Sequence, residues 1–136
     1  MSDRAALLFA NDAFYQAFAD SDIQAMASLW AADDAITCLH PGWAPLRGFE
    51  DVLSSFQSIF EGPTPPAITP LSADVTMHGH VGIVICYELI GSDYLIATNM
   101  FRKDAENGSW KLIHHQAGPA NEPPIQEEET KPAAIN

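Results

Sequence analysis

His40, Asn99 and the adjacent His114 and His115 are the side chains of this 136-residue sequence best suited to moving or holding a proton. Neutral imidazole near pH 7 can take or give a proton, the usual requirement of acid–base chemistry. His40 lies within Cys38–Gly48, CLHPGWAPLRG, a stretch that Pro41 and Pro45 exclude from any helix. It reads as the end of a strand opening into a loop that forms the lip of a pocket. Trp43 would lid that pocket with an apolar face and one N–H donor. Arg47 could hold a ligand carboxylate, or pair with Glu50 or Asp51. His114 and His115, being neighbours on a strand, point to opposite faces. Regular alternation groups Trp110, Leu112, His114 and Gln116 on one face, and Lys111, Ile113 and His115 on the other. Neither face is decisively apolar. With His114 turned inward, His40, Asn99, His114 and Gln116 would converge as a polar group inside apolar surroundings, a proton-transfer constellation without an obvious oxyanion hole.

Other chemistries fit less well. Cys38 stands two residues from His40, but buried cysteines are mostly inert packing, and two reduced thiols at Cys38 and Cys86 are a simpler account than a disulfide. His78 and His80 share a strand face at a spacing able to bind zinc, yet no cysteine or carboxylate pattern accompanies them. No Gly-rich phosphate loop or Ser-His-Asp ordering stands out. The expectation is a site without metal or cofactor.

Three helices and a run of strands must position these groups. Leu7, Ala10, Phe14 and Phe18 give residues 4–19 one apolar face, with Leu8 and Tyr15 on an adjoining strip. Ser21 and Gln24 suggest a capping box that opens a second helix carrying Ile23, Met26, Ala27 and Trp30. Ala35–Leu39 reads as a short strand. Phe49, Val52, Leu53, Phe56, Ile59 and Phe60 form the stripe of a third helix, with Glu50 and Asp51 in its first turn. The period then changes to two, through Leu71, Ala73, Val75 and Met77. Val81–Ile90 is apolar on nearly both faces, so both are expected to be covered. Gly91-Ser92 and Asn107-Gly108 suit tight turns leading to strands at 93–103 and 110–117. The result is a fold of the α+β class, with helices over the concave side of a curved antiparallel sheet and a cone open at one end.

Composition narrows the partners. A formal net charge of -12 repels phosphate backbones and anionic lipid, which argues against nucleic acid and membranes. The N-terminal residues do not read as a signal peptide, and a cytoplasmic location is expected. Beyond Gly118 the sequence turns proline- and glutamate-rich. The expected division is a domain at 1–118 and an acidic, disordered tail at 119–136.

The run FYQAFADSDIQAMASLWAADDAITCLHP, the Leu-Arg-Gly element after it and the closing WKLIHHQAGP resemble the nuclear transport factor 2-like superfamily. Within it the likeness is to SnoaL-like and ketosteroid-isomerase-like proteins, and it covers about residues 5–118. The resemblance implies a cone-shaped, cystatin-like fold and a pocket for a hydrophobic small molecule. It places His40 where those isomerases carry their proton-shuttling aspartate, and Asn99 where they carry a second, neutral acid. Phe14 falls where they carry an oxyanion-binding tyrosine and cannot donate, so steroid isomerisation itself is not expected. The lining implied around His40, Asn99 and His114 is Phe14, Tyr15, Phe18, Trp30, Trp43, Arg47, Phe101 and Gln116. Two roles are compatible with such a fold: a cofactor-independent isomerase, cyclase, dehydratase or hydrolase, or a non-catalytic binding or assembly module. Either would suit a homodimer formed through the sheet face.

Overall fold

A computed structural model describes residues 2–125, and residues 126–136 of the expected tail lie outside them. Ser2 caps helix α1 (Asp3–Ala19), its hydroxyl accepting from the Ala5 amide. Ser21, at φ 50, turns the chain out of α1. Helix α2 (Ile23–Leu29) is capped by Asp22, which accepts from the Ala25 amide. The cap is therefore Asp22, one residue beyond the Ser21 of the expected box. Helix α3 (Phe49–Glu61) starts after Gly48, whose φ of 86 suits glycine, and carries Glu50 and Asp51 in its first turn.

The strands are β1 (Thr37–Leu39), β2 (Leu46–Arg47), β3 (Thr69–His78), β4 (Val81–Ile90), β5 (Asp93–Lys103) and β6 (Trp110–Pro119). They form one sheet in the order β2-β1-β6-β5-β4-β3. Strands β3 to β6 are the expected antiparallel meander, whereas β1 joins β6 in parallel and makes the sheet mixed. Leu46–Arg47, expected as loop, pairs with β1 as a short edge strand. Helix α1 lies across β3, β4 and β6, while α2 and α3 pack on each other.

Register decides which side chains look inward. On β4, Gly82, Val84, Cys86 and Glu88 are buried, and on β5 so are Ala97, Asn99 and Phe101. On β6 the alternation is broken. Phe101 faces Leu112 but Met100 faces His114, so one extra residue, Ile113, is bulged out. Leu112 and His115 are consequently both inward.

The core has a dry end and a polar end. Leu7, Met26, Trp30, Val84, Phe101 and Leu112 are fully buried at the dry end. Phe14 links the two, with ring centroids 5.9 Å from Phe56, 6.5 Å from Trp30 and 5.0 Å from His115. At Gly82 the fit is tight enough that a Cβ would lie 2.4 Å from a Leu7 methyl.

Candidate functional site: a polar chain inside an apolar cavity

A cavity of about 270 Å³ opens between α1, α3, the 40–43 loop and the inner face of the sheet. Phe14, Tyr15 and Phe18 reach it from α1, Phe56 and Ile59 from α3, and Ile90 and Glu88 from β4. His40 and Trp43 form the lip, as the loop's prolines and glycines suggested, and His115 completes the wall from β6. Trp43 is half exposed and its ring stands edge-on to His40 at 4.9 Å.

His40 is buried in the cavity wall. Its Nε2 lies 2.8 Å from Ser55 Oγ. The Ser55 hydroxyl spends its single hydrogen on the Val52 carbonyl at 2.6 Å, so it accepts from His40. The proton of His40 therefore sits on Nε2, which leaves Nδ1 as a lone pair without a protein partner among the described residues. Burial lowers the His40 pKa from 6.5 to about 4, holding the ring neutral at pH 7.

A second chain of hydrogen bonds runs behind the cavity. Asn99 Nδ2 donates to Asn11 Oδ1 at 2.8 Å and to the Tyr15 hydroxyl at 3.2 Å. Its Oδ1 is then the acceptor for His115 Nδ1 at 2.5 Å. This fixes the His115 tautomer, with the proton on Nδ1 and Nε2 free as a base. Burial, helped by the nearby His40 and His114, lowers the His115 pKa to about 3. Tyr15, having accepted from Asn99, donates to Glu88 Oε2 at 2.5 Å. Desolvation raises the Glu88 pKa, and the Tyr15 hydrogen bond opposes that shift in part. The Tyr15 phenol is itself pushed far up, by burial first and then by the Glu88 charge. Cys86 closes the network, 3.4 Å from the Tyr15 hydroxyl and 3.8 Å from Asn11 Nδ2. Cys38, 3.7 Å from His40, is pushed up to about 12 by burial and is no nucleophile at neutral pH.

Several expected positions are corrected. His115 faces inward, whereas His114 faces the other way and bonds through Nδ1 to Thr37 Oγ1 at 2.6 Å. Gln116 is exposed on the outer face, opposite Thr98. The Ile113 bulge is the cause of both changes, because it shifts the strand's phase by one residue. Arg47 is exposed and lines a separate depression with Asp33, Asp34 and Glu50. Trp30 and Phe101 belong to the dry end of the core and do not line the cavity. Asn99 lies one layer behind the wall, hydrogen-bonded to His115 and Tyr15. Tyr15 does reach the interior beside Phe14, because Leu7, Asn11 and Tyr15 form an i, i+4, i+8 row on the buried face of α1. His78 and His80 are exposed, and no group of three potential metal ligands occurs among the described residues.

Three contributors were not singled out from the sequence, and the inward place of a fourth, His115, was left open. Glu88 is the one charged residue in the apolar run 81–90, which is a signal in itself, since acids are almost never buried without a purpose or a partner. Asn11 continues the row from Leu7 to Tyr15. Ser55 follows Val52 at i+3, on the same side of α3. His115 is obscured only by the bulge.

A model of the SnoaL-like domain matches residues 8–122. F-box protein SKIP8 of Arabidopsis thaliana is 29% identical over 115 residues, which cover 82% of this chain and 48% of that protein. The chain thus spans about half the length of the curated relative it matches. A solved structure from Streptomyces avermitilis, described as a candidate dehydratase of the NTF2-like family, is 28% identical with a TM-score of 0.76, covering 88% of this chain and 97% of its own. A candidate calcium/calmodulin-dependent protein kinase type II association domain from Thiobacillus denitrificans is 30% identical with a TM-score of 0.74, covering 82% and 93%. A candidate ketosteroid isomerase from Parabacteroides distasonis, at 12% identity and a TM-score of 0.69 over 88% and 89%, shares the fold alone. With the family match spanning most of its length, this chain belongs to the SnoaL-like family.

Proposed function

We propose that the cavity binds a small, largely apolar molecule and carries out cofactor-independent acid–base chemistry on it, of the isomerase or lyase kind. One observation carries this reading: His40 and His115 each commit one ring nitrogen to a protein partner and keep the other as a lone pair in the cavity wall. Their ring centroids are 6.4 Å apart. One imidazole can then take a proton from carbon and, as the imidazolium so formed, return that same proton to the departing or rearranging oxygen, while the neutral second ring accepts a hydrogen bond from the ligand. Asn99 is the positioning residue that selects the His115 tautomer. The likeness to the Streptomyces avermitilis candidate dehydratase supports elimination of water as the first reaction to try.

The test is a thermal-shift and turnover screen of hydrophobic alcohols, ketones and hydroxy compounds against the wild type and His40→Gln. A ligand well above its dissociation constant adds a few kcal/mol of stability. A hit turned over by the wild type, with the rate lost in His40→Gln and binding retained, supports the proposal. A hit turned over equally by both proteins removes His40 from it.

A second reading, a binding or assembly module, is favoured by the outer sheet face. Ile83, Ile85, Tyr87, Leu89, Tyr94 and Ile96 point outward there, with Ile85 and Ile96 exposed. We propose that a second copy of this chain covers that face, in line with the likeness to an association domain. Dimerisation is compatible with either role. Among the described residues no helix is long and apolar enough to cross a membrane.

A further inference from the structure

Resting on that reading of the cavity as a ligand site, we infer that its ligand carries a protonated amine, which sits against Glu88. Glu88 is only 3% exposed, and its one hydrogen bond among the described residues comes from Tyr15. A buried carboxylate is costly unless it meets several donors or an opposite charge. No Lys or Arg among the described residues lines the cavity. Arg4 lies against Val75 and Asp74, Arg102 pairs with Asp33 and Lys103 with Asp3. Lys111 donates to the Ser28 carbonyl, and Arg47 lies in the depression described above. The histidines supply no counter-charge, since both rings are held neutral by burial. The protein thus provides a carboxyl group and withholds its cation.

The rest of the wall suits a cation as well. Phe14, Tyr15, Phe18, Trp43 and Phe56 surround the space with aromatic rings, whose faces attract an ammonium group. An ammonium on Glu88 would bring the carboxyl back to its ionised form and donate up to three hydrogen bonds. The net charge of -12 adds attraction at long range. A carboxylate or phosphate ligand would meet the opposite: an acid, neutral imidazoles and no basic side chain.

The experiment uses three probes of matched shape, 2-phenylethylamine, 2-phenylethanol and phenylacetate, titrated calorimetrically at pH 7 into the wild type and Glu88→Gln. The expected order is amine, then alcohol, then acid, with the amine favoured over the alcohol by about tenfold or more. In Glu88→Gln the amine and the alcohol should bind within about twofold of each other. Should that variant fail to fold, the wild-type order alone decides the matter. An alcohol that binds as tightly as the amine, or amine binding unchanged in Glu88→Gln, overturns the inference and leaves the cavity reading standing. That result would point instead to a protonated Glu88 donating to a neutral ligand. No binding of any probe would overturn both.

Discussion

The two faces of the sheet both depart from the usual pattern. The same strands that turn Cys86, Glu88, Asn99 and His115 toward the interior turn Ile83, Ile85, Tyr87 and Ile96 away from it. In a two-layer α+β domain the helix-covered face is ordinarily apolar and the open face polar. Here the covered face holds, beside its apolar core, a set of polar groups linked through Tyr15, and the open face carries a row of aliphatic and aromatic side chains. Polar residues inside, satisfied by one another, are retained at a cost in packing and so mark a site. Aliphatic residues outside mark a surface that wants another surface. Under the proposed function, the contrast would separate chemistry from assembly within single strands, residue by residue.

The largest effect should come from the dry part of the inner face. Phe101→Ala removes a fully buried ring and should cost about 3–5 kcal/mol in denaturant-unfolding stability. Asn99→Leu should follow at about 3 kcal/mol, because it strips partners from Asn11, Tyr15 and His115 at once. A neutral Asn99→Leu would show that the inner polar chain is a passive filler, and the contrast between the faces would lose its meaning. The pH dependence is gentler. His40 and His115 have folded pKa values of about 4 and about 3 against 6.5 unperturbed, so the unfolded chain binds protons first as pH falls. Their contribution is complete above about pH 6.5 and is lost down to about pH 4 for His40 and about pH 3 for His115, at no more than about 1.4 kcal/mol per pH unit for each ring. His114, also lowered by burial, adds in the same direction. Glu88, raised, works in the opposite sense and favours folding on the acid side. A melting temperature that declines from pH 6.5 to 4, and declines less in His40→Gln, is the expected record. The smallest effect on stability belongs to the outer face. Ile85→Lys with Ile96→Lys should change monomer stability by less than about 0.5 kcal/mol per site. The same pair should abolish a dimer in sedimentation velocity; a dimer that survives it is built elsewhere.

Much of this architecture is legible in the sequence, for reasons that explain the exceptions. The three helices announce themselves because Leu7 to Phe18, Ile23 to Trp30 and Val52 to Phe60 keep a helical period, and Gly48 and Gly62 bracket the third. The meander follows from its turn residues. His40 is found at the cavity lip because its prolines leave only a loop there. Failures cluster where local pattern and tertiary register part. A bulge has no side-chain signature at Ile113, so strict alternation groups His114 with Trp110 and Leu112, whereas His115 is the one that turns inward with them. A strand of two residues, Leu46–Arg47, is too short to show a period at all. Glu88 was hidden by its neighbours, since an apolar run draws attention to its average and not to its one exception. Trp30 and Phe101 share the composition of a lining without sharing its place, because a sequence does not say which end of a cone is closed.

The bulge at Ile113 gives the last strand two independent reading frames. Upstream of it Trp110 and Leu112 are keyed to the dry end of the core; downstream, His115 is keyed to the cavity. Deleting Ile113 would merge the frames into one continuous ladder with Leu112 and His115 still inward. Deleting a residue on either side of the bulge's own neighbours would throw one frame out of phase. A lineage can therefore lose a residue at this single point and keep the same inward side chains, which makes Ile113 a hinge for sequence drift, though not for motion.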